Sequence, residues 1–235
     1  MDKPIGIIGA MDVEISMLLS QMTIEKEEEI SSLRFYTGSI AGVLCVVSKC
    51  GPGKVNAAVC AQTMILRYAP RLVLNSGVAG GIAPELAIGD IVVANACVQH
   101  DSDTTALGDP PGFISGLELV KIPCDARAAA LLAKAGETVY GAAHTGVIAT
   151  GDIFLNSKPR GEELHRLYGA LACEMEGGSI AHVCYMNSVP AAVLRTISDK
   201  GDGDSDMDFP AFARMAAEKL QTLLLAALPS LAAAA

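Results

Sequence analysis

Ile5-Gly6-Ile7-Ile8-Gly9-Ala10-Met11-Asp12-Val13-Glu14 is the stretch on which the fold turns. Ile5–Gly9 is a continuous apolar run of strand length, the pattern of a strand covered on both faces. Gly9 permits a sharp turn. Asp12–Gln21 then takes up helical spacing, with Asp12 suited to the N-cap. A buried strand running straight into a helix is the unit from which α/β sheets are built.

The same alternation continues along the chain. Phe35–Ile40 and Val43–Lys49 read as a hairpin about Ala41–Gly42, Lys54–Tyr68 as a helix and Leu72–Asn75 as a short strand. Asp90–Ala96 is a strand, Gln99–Gly116 a polar loop, Ala126–Ala135 a helix and His144–Thr150 a strand. Pro159–Tyr168 and Ile180–Met186 are helices on either side of a short strand at Ala170–Cys173. Ala191–Ile197 is a strand and Phe209–Leu225 the last long helix, with Pro229 ending the pattern ahead of a frayed Ala tail. The expectation is an α/β fold of three layers, a central mixed β-sheet flanked by helices, with residues 1–235 as one domain.

Composition narrows the function. Hydrophobic residues make up 51% of the 235 and charged residues 18%, with 4% aromatics and no Trp, so a large aliphatic core is available. A net charge of −9 argues against nucleic acid, whose phosphates call for a basic surface. The seven cysteines include no CxxC pair and sit among apolar neighbours, as buried hydrophobes in a reducing compartment do. Neither a signal peptide nor a membrane span is legible, and the expected location is the cytoplasm.

Five unusual clusters follow predicted strands, where open α/β sheets place their ligands. In Gly9–Glu14, Glu14 falls in the first helical turn, where it either complements the helix dipole or serves as a general base for water. In Ser76–Gly81 (SGVAGG), glycines either mark tight turns or let backbone N–H groups line a pocket. Thr150–Phe154 (TGDIF) is the third. In Cys173–Gly178 (CEMEGG), two carboxylates in an apolar region need a partner. A vicinal diol is one such partner; the alternative is an exposed Glu174 with Glu176 capping the next helix. In Arg195–Asp199 (RTISD), Asp199 either starts a turn or acts as a general acid oriented by Ser198. Gly201–Asp206 reads as a loop able to close over a ligand. His100–Asp103 lacks a third metal ligand, and His144, His165 and His182 stand alone, so no metal is expected. Gly51–Val55 is a helix start, not a phosphate loop.

IGIIGAMDVEI, CGPGKVNAA, SGVAGG, IGDIVV, HDSDTTALG, TGDIF, CEMEGGSIAHVC and RTISD together resemble the 5′-methylthioadenosine/S-adenosylhomocysteine nucleosidases of the purine nucleoside phosphorylase-like superfamily. The resemblance runs from Ile5 to Phe212 and implies the phosphorylase/hydrolase-like fold. It implies cleavage of an adenine nucleoside by water without a cofactor, Glu14 activating the water and Asp199, oriented by Ser198, acting as the acid near N7 of adenine. Glu176 would bind the ribose hydroxyls beside Met175, Phe154 would stack on the base and the Leu155 backbone would bond its edge. Arg195 would lie near the water and ribose, with Met11, Pro52 and Phe209 lining the sugar and 5′-thio region. Val78, Ala79 and Gly80 supply the glycine-rich wall, where Val78 departs from the family's small hydroxyl residue. The family implies a homodimer in which Leu107–Gly116 (LGDPPGFISG) reaches the neighbouring site, and Leu107 and Ser115 depart from its pattern. The rival readings are a nucleoside phosphorylase, which needs a cationic phosphate pocket, and a non-catalytic nucleoside-binding module, which could dispense with Glu14 or Asp199.

Overall fold

The computed structural model describes residues 3–200 and 209–234, the second segment with side chains from residue 212 onward. The loop Gly201–Asp206 and the side chain of Phe209 lie outside the described residues. In chain order the elements are β1 (Ile5–Gly9), α1 (Asp12–Ser20), β2 (Met22–Ile30), β3 (Leu33–Ile40), β4 (Val43–Lys49), α2 (Lys54–Tyr68), β5 (Leu72–Gly81), β6 (Ile91–Gln99), β7 (Ile122–Pro123), α3 (Ala126–Tyr140), β8 (His144–Thr150), α4 (Lys158–Tyr168), β9 (Ala170–Glu174), α5 (Gly177–Met186), β10 (Ala191–Asp199) and α6 (Phe209–Ala234).

The strands form one mixed sheet in the order β2-β3-β4-β1-β5-β9-β8-β6-β10, with β7 added to β6. β10 pairs back onto β5, so five strands close into a ring from which β1, β4, β3 and β2 extend. Helices cover both faces, and the residues of β1 divide between the two layers. Ile5 and Ile7 pack with Leu18, Leu132 and Leu224 of α1, α3 and α6. Ile8 packs with Met64, Ile180 and Cys184 of α2 and α5.

Strand direction creates the site. β1, β4, β5 and β10 run one way, while β6, β8 and β9 are parallel to one another and opposed to that set. β5 and β9 overlap in only two registers, Gly80 opposite Cys173 and Gly81 opposite Ala172, so they meet nearly tip to tip. Carboxyl ends from both sets therefore converge, with Asp199 opposite Gly80 and Thr150 opposite Glu174.

Several elements differ from the expected bounds, and three of the differences matter to the fold. β2 has no strand pattern in the sequence, because Glu25–Glu29 are five successive charges. It forms an exposed edge strand, and charged edges discourage pairing with other chains. β5 runs straight through the glycine-rich stretch to Gly81, where a turn was one of the two readings. α6 continues past Pro229. Leu220, Leu223, Leu224, Ala227, Leu228 and Leu231 form an unbroken buried stripe across it, and burying a Leu stabilises by about 1.5–3 kcal/mol. That packing offsets a Pro cost of about 3 kcal/mol.

Candidate active site

A cleft of about 180 Å³ opens where the two strand sets meet, and all five clusters reach it. Met11, Glu14, Pro52, Val78, Ala79, Gly80, Phe154, Leu155, Met175, Glu176, Ser198 and Asp199 line it together. Of the other expected residues, Arg195 lies behind the wall and Phe209 is outside the described side chains. Ala10, Ile153, Cys173 and Glu174 also line the cleft; small or apolar, three of them carried no chemical signal in the sequence.

Glu14 enters from the first turn of α1. Its Oε2 accepts the backbone N–H groups of Ala10 and Met11 at 2.7 and 2.9 Å, and its Oε1 accepts that of Val78 at 2.9 Å. The carboxylate caps its own helix and also faces the cleft. Asp12 is not the N-cap. Met11 holds that position, and Asp12 turns outward to pair with Lys49 at 2.8 Å. Burial pushes the Glu14 carboxyl up, against the Arg195 guanidinium and the three N–H donors. Gly77 has a use that differs from exposing backbone to a ligand. A Cβ there would meet Glu14 Oε1 at 2.5 Å, so the missing side chain is the space the carboxylate occupies.

Glu174 and Glu176 leave the end of β9 in different directions. Glu174 is buried. Its Oε2 accepts the backbone N–H groups of Glu176 and Gly177 at 2.9 and 2.7 Å and pairs with Arg195 Nη2, while its Oε1 accepts the Thr150 hydroxyl. Glu174 is therefore not exposed; Glu176 holds the N-cap position of α5 without a side-chain cap bond, and the Glu174 carboxylate accepts the N–H groups at the helix start. Arg195 is also buried and donates to the Asn75 side chain and to the Leu194 carbonyl at 3.0 Å. Burial opposes the charge on Glu174, but Arg195, the Thr150 hydroxyl and the Gly177 N–H outweigh it and hold the carboxyl low. Glu176 faces the cleft and accepts the Gly53 N–H at 2.9 Å. Burial and then the Glu174 charge push it up to about 7, against Arg195.

On the opposite wall Ser198 Oγ donates to Asp199 Oδ2 at 2.8 Å, both residues being buried at the end of β10. Phe154, 52% exposed, stands at the mouth, and Leu155 lies beneath it, buried. The cleft thus offers an apolar, flat-sided end beside Asp199 and a carboxylate-rich end at Glu14 and Glu176. That division suits a neutral molecule with an aromatic base at one end and a polyol at the other.

The Phosphorylase superfamily model matches residues 4–229, and the mixed sheet flanked by helices is the architecture of that superfamily. Among curated proteins, the 5′-methylthioadenosine/S-adenosylhomocysteine nucleosidase of Shewanella halifaxensis is 37% identical over 236 residues, covering 97% of this chain and 99% of its own. Among solved structures, the nucleosidase of that name from Helicobacter pylori with butyl-thio-DADMe-Immucillin-A aligns with a TM-score of 0.92 at 36% identity, covering 97% of this chain and 98% of its own. A futalosine hydrolase of Helicobacter pylori strain 26695 aligns with a TM-score of 0.92 at 35% identity and the same coverage. This chain belongs to the 5′-methylthioadenosine/S-adenosylhomocysteine nucleosidases of the phosphorylase superfamily.

Proposed function

We propose that this protein hydrolyses the N-glycosidic bond of 5′-methylthioadenosine and S-adenosylhomocysteine at this cleft, releasing adenine and the 5-thio-ribose. Asp199, with Ser198 holding one of its oxygens, delivers a proton to N7 so that adenine leaves neutral; a positioned acid contributes about 10²–10⁴-fold. The sugar becomes oxocarbenium-like as the bond opens. Glu176 accepts hydrogen bonds from its 2′ and 3′ hydroxyls, and its charge favours the cation. Glu14 takes a proton from the attacking water. Phe154 covers the base, Leu155 offers its backbone to the base edge, and Met11, Pro52 and Met175 pack about the sugar. Arg195 acts from behind the wall, through its field on Glu14 and Glu176.

The placement of Glu14 carries the choice of water as acceptor. A phosphorylase must cradle a dianion against backbone N–H groups and cations. Here the N–H groups of Ala10, Met11 and Val78 are already taken by a carboxylate, which would repel phosphate. The test is product analysis with and without phosphate. Free sugar and adenine at a rate independent of phosphate support the reading; sugar 1-phosphate would replace it with phosphorolysis, and binding without turnover would make the chain a binding module.

The reading extends to a homodimer. None of Leu107–Gly116 lines the cleft of its own chain, Leu107 is 82% exposed, and Ile153 and Phe154 are 56% and 52% exposed at the cleft mouth. A neighbouring subunit's loop would close it. Seven unpaired buried cysteines support a reducing, cytoplasmic setting, and among the described residues no helix is long and apolar enough to cross a membrane. Cleft residues drawn from Ala10 to Asp199 support residues 1–235 acting as one domain.

A further inference from the structure

Just outside the cleft wall, three charged residues from distant parts of the chain close a ring. The Lys54 backbone N–H donates to Asp152 Oδ1 at 2.7 Å, and the Asp152 backbone N–H donates to Asp101 Oδ2 at 2.9 Å. Lys54 Nζ completes the circuit at Asp101 Oδ1, 2.6 Å away. The Lys54 and Asp101 side chains are mostly covered, at 20% and 19% exposure. Burial opposes the charge on Asp101, but the Lys54 ammonium and the Asp152 N–H outweigh it and hold the carboxyl below its usual range. Gly53 makes the closure possible: with φ of 97°, a Cβ there would stand 3.0 Å from Asp152 Oδ1.

None of the three residues touches the cleft, yet each adjoins a part of it. Lys54 follows Pro52, which lines the cleft, and Gly53, whose N–H holds Glu176. Asp152 precedes Ile153, Phe154 and Leu155. Asp101 stands at the root of the segment leading to Leu107–Gly116. The Ser179 hydroxyl, in the first turn of α5, donates to the Lys54 carbonyl at 2.7 Å, which fixes the ring to the helix that follows Glu176.

We propose that Lys54, Asp101 and Asp152 form a positioning ring that holds the base wall, Ile153–Leu155, at a set distance from the ribose carboxylate Glu176. The ring also ties both walls to the root of the Leu107–Gly116 segment. This rests on the nucleosidase reading of the cleft. Base and ribose are parts of one rigid substrate, so the two walls must keep one spacing, and a misplacement of about 1 Å costs on the order of 10²-fold. Partly exposed ion pairs contribute little to stability; the value of this one is geometric.

The experiment compares Lys54→Met, Asp101→Asn, their double variant and Lys54→Arg. Adenine release from 5′-methylthioadenosine is read alongside amide exchange of the ligand-free proteins. Each single variant is expected to raise KM about tenfold with kcat within about threefold, and to speed exchange at the Asp152 amide. The double variant should be no worse than the weaker single, because the ring is already open, and Lys54→Arg should recover most of the loss. Unchanged KM with unchanged Asp152 exchange would overturn the inference, as would losses in the double variant equal to the product of the singles. A wild-type chain that releases no adenine would defeat the nucleosidase reading instead, and Asp152 exchange would still report on the ring.

Discussion

Glu174 and Glu176 are two residues apart, on one strand end, and the fold treats them in opposite ways. Glu174 receives Arg195, the Thr150 hydroxyl and two backbone N–H groups, whereas among the described residues Glu176 receives the Gly53 N–H. The first is a satisfied strut that fixes the start of α5; the second is a buried carboxylate with acceptor capacity left over for a ligand. Charge follows the same division, since Glu174 is held low and Glu176 is pushed up to about 7. A buried carboxylate with few partners is costly to the free protein, and in the proposed mechanism the hydroxyls of the substrate offset that cost.

The largest break in this comparison comes from Arg195→Met. It strands Glu174 in the interior without its counter-charge, a change that costs about 3–5 kcal/mol and is read by denaturant unfolding. A loss below about 1 kcal/mol would mean that the strut is not held by the pair.

Glu176→Gln sharpens the other side. With a folded pKa of about 7 against an ordinary 4.5, the native state keeps a proton that the unfolded chain has lost. Stability therefore falls as pH rises from 4.5 to about 7. Glu174, held low, has the opposite sign: its contribution is present above the ordinary value and fades only as pH drops through its lowered one. Glu176→Gln should remove the loss between 4.5 and about 7, so that the ligand-free variant melts above wild type by at least about 2 °C at pH 8. Its kcat/KM should fall by about 10²–10³-fold. A variant that is both active and no more stable would erase the distinction between the two residues.

Much of this was legible in the sequence, for physical reasons. Ile5–Gly9, Val43–Lys49, Lys54–Tyr68 and His144–Thr150 have the bounds expected, because buried strands and amphipathic helices write their burial into apolar period. β2 hid because its edge position lets it carry charge on both faces. Pro229 reads locally as a helix end, whereas the stripe of leucines that α6 buries carries the helix past it. In the cleft, acids near strand ends were visible as chemistry out of place. The partner of each was not. That Gly77 makes room for Glu14, that Arg195 and Thr150 hold Glu174, and that Lys54 meets Asp101 and Asp152 depend on contacts between residues tens of positions apart. The convergence of the clusters was anticipated from the rule for open sheets, whereas its cause is the head-on meeting of β5 and β9 inside a closed ring of strands.

The most direct test of the mechanism is Asp199→Asn, which keeps the shape and the Ser198 contact but removes the transferable proton. Adenine release from 5′-methylthioadenosine should fall by at least about 10²-fold, while a non-hydrolysable nucleoside analogue binds within a few-fold of wild type. Release near the wild-type rate with analogue binding intact would contradict the assignment of Asp199 as the acid.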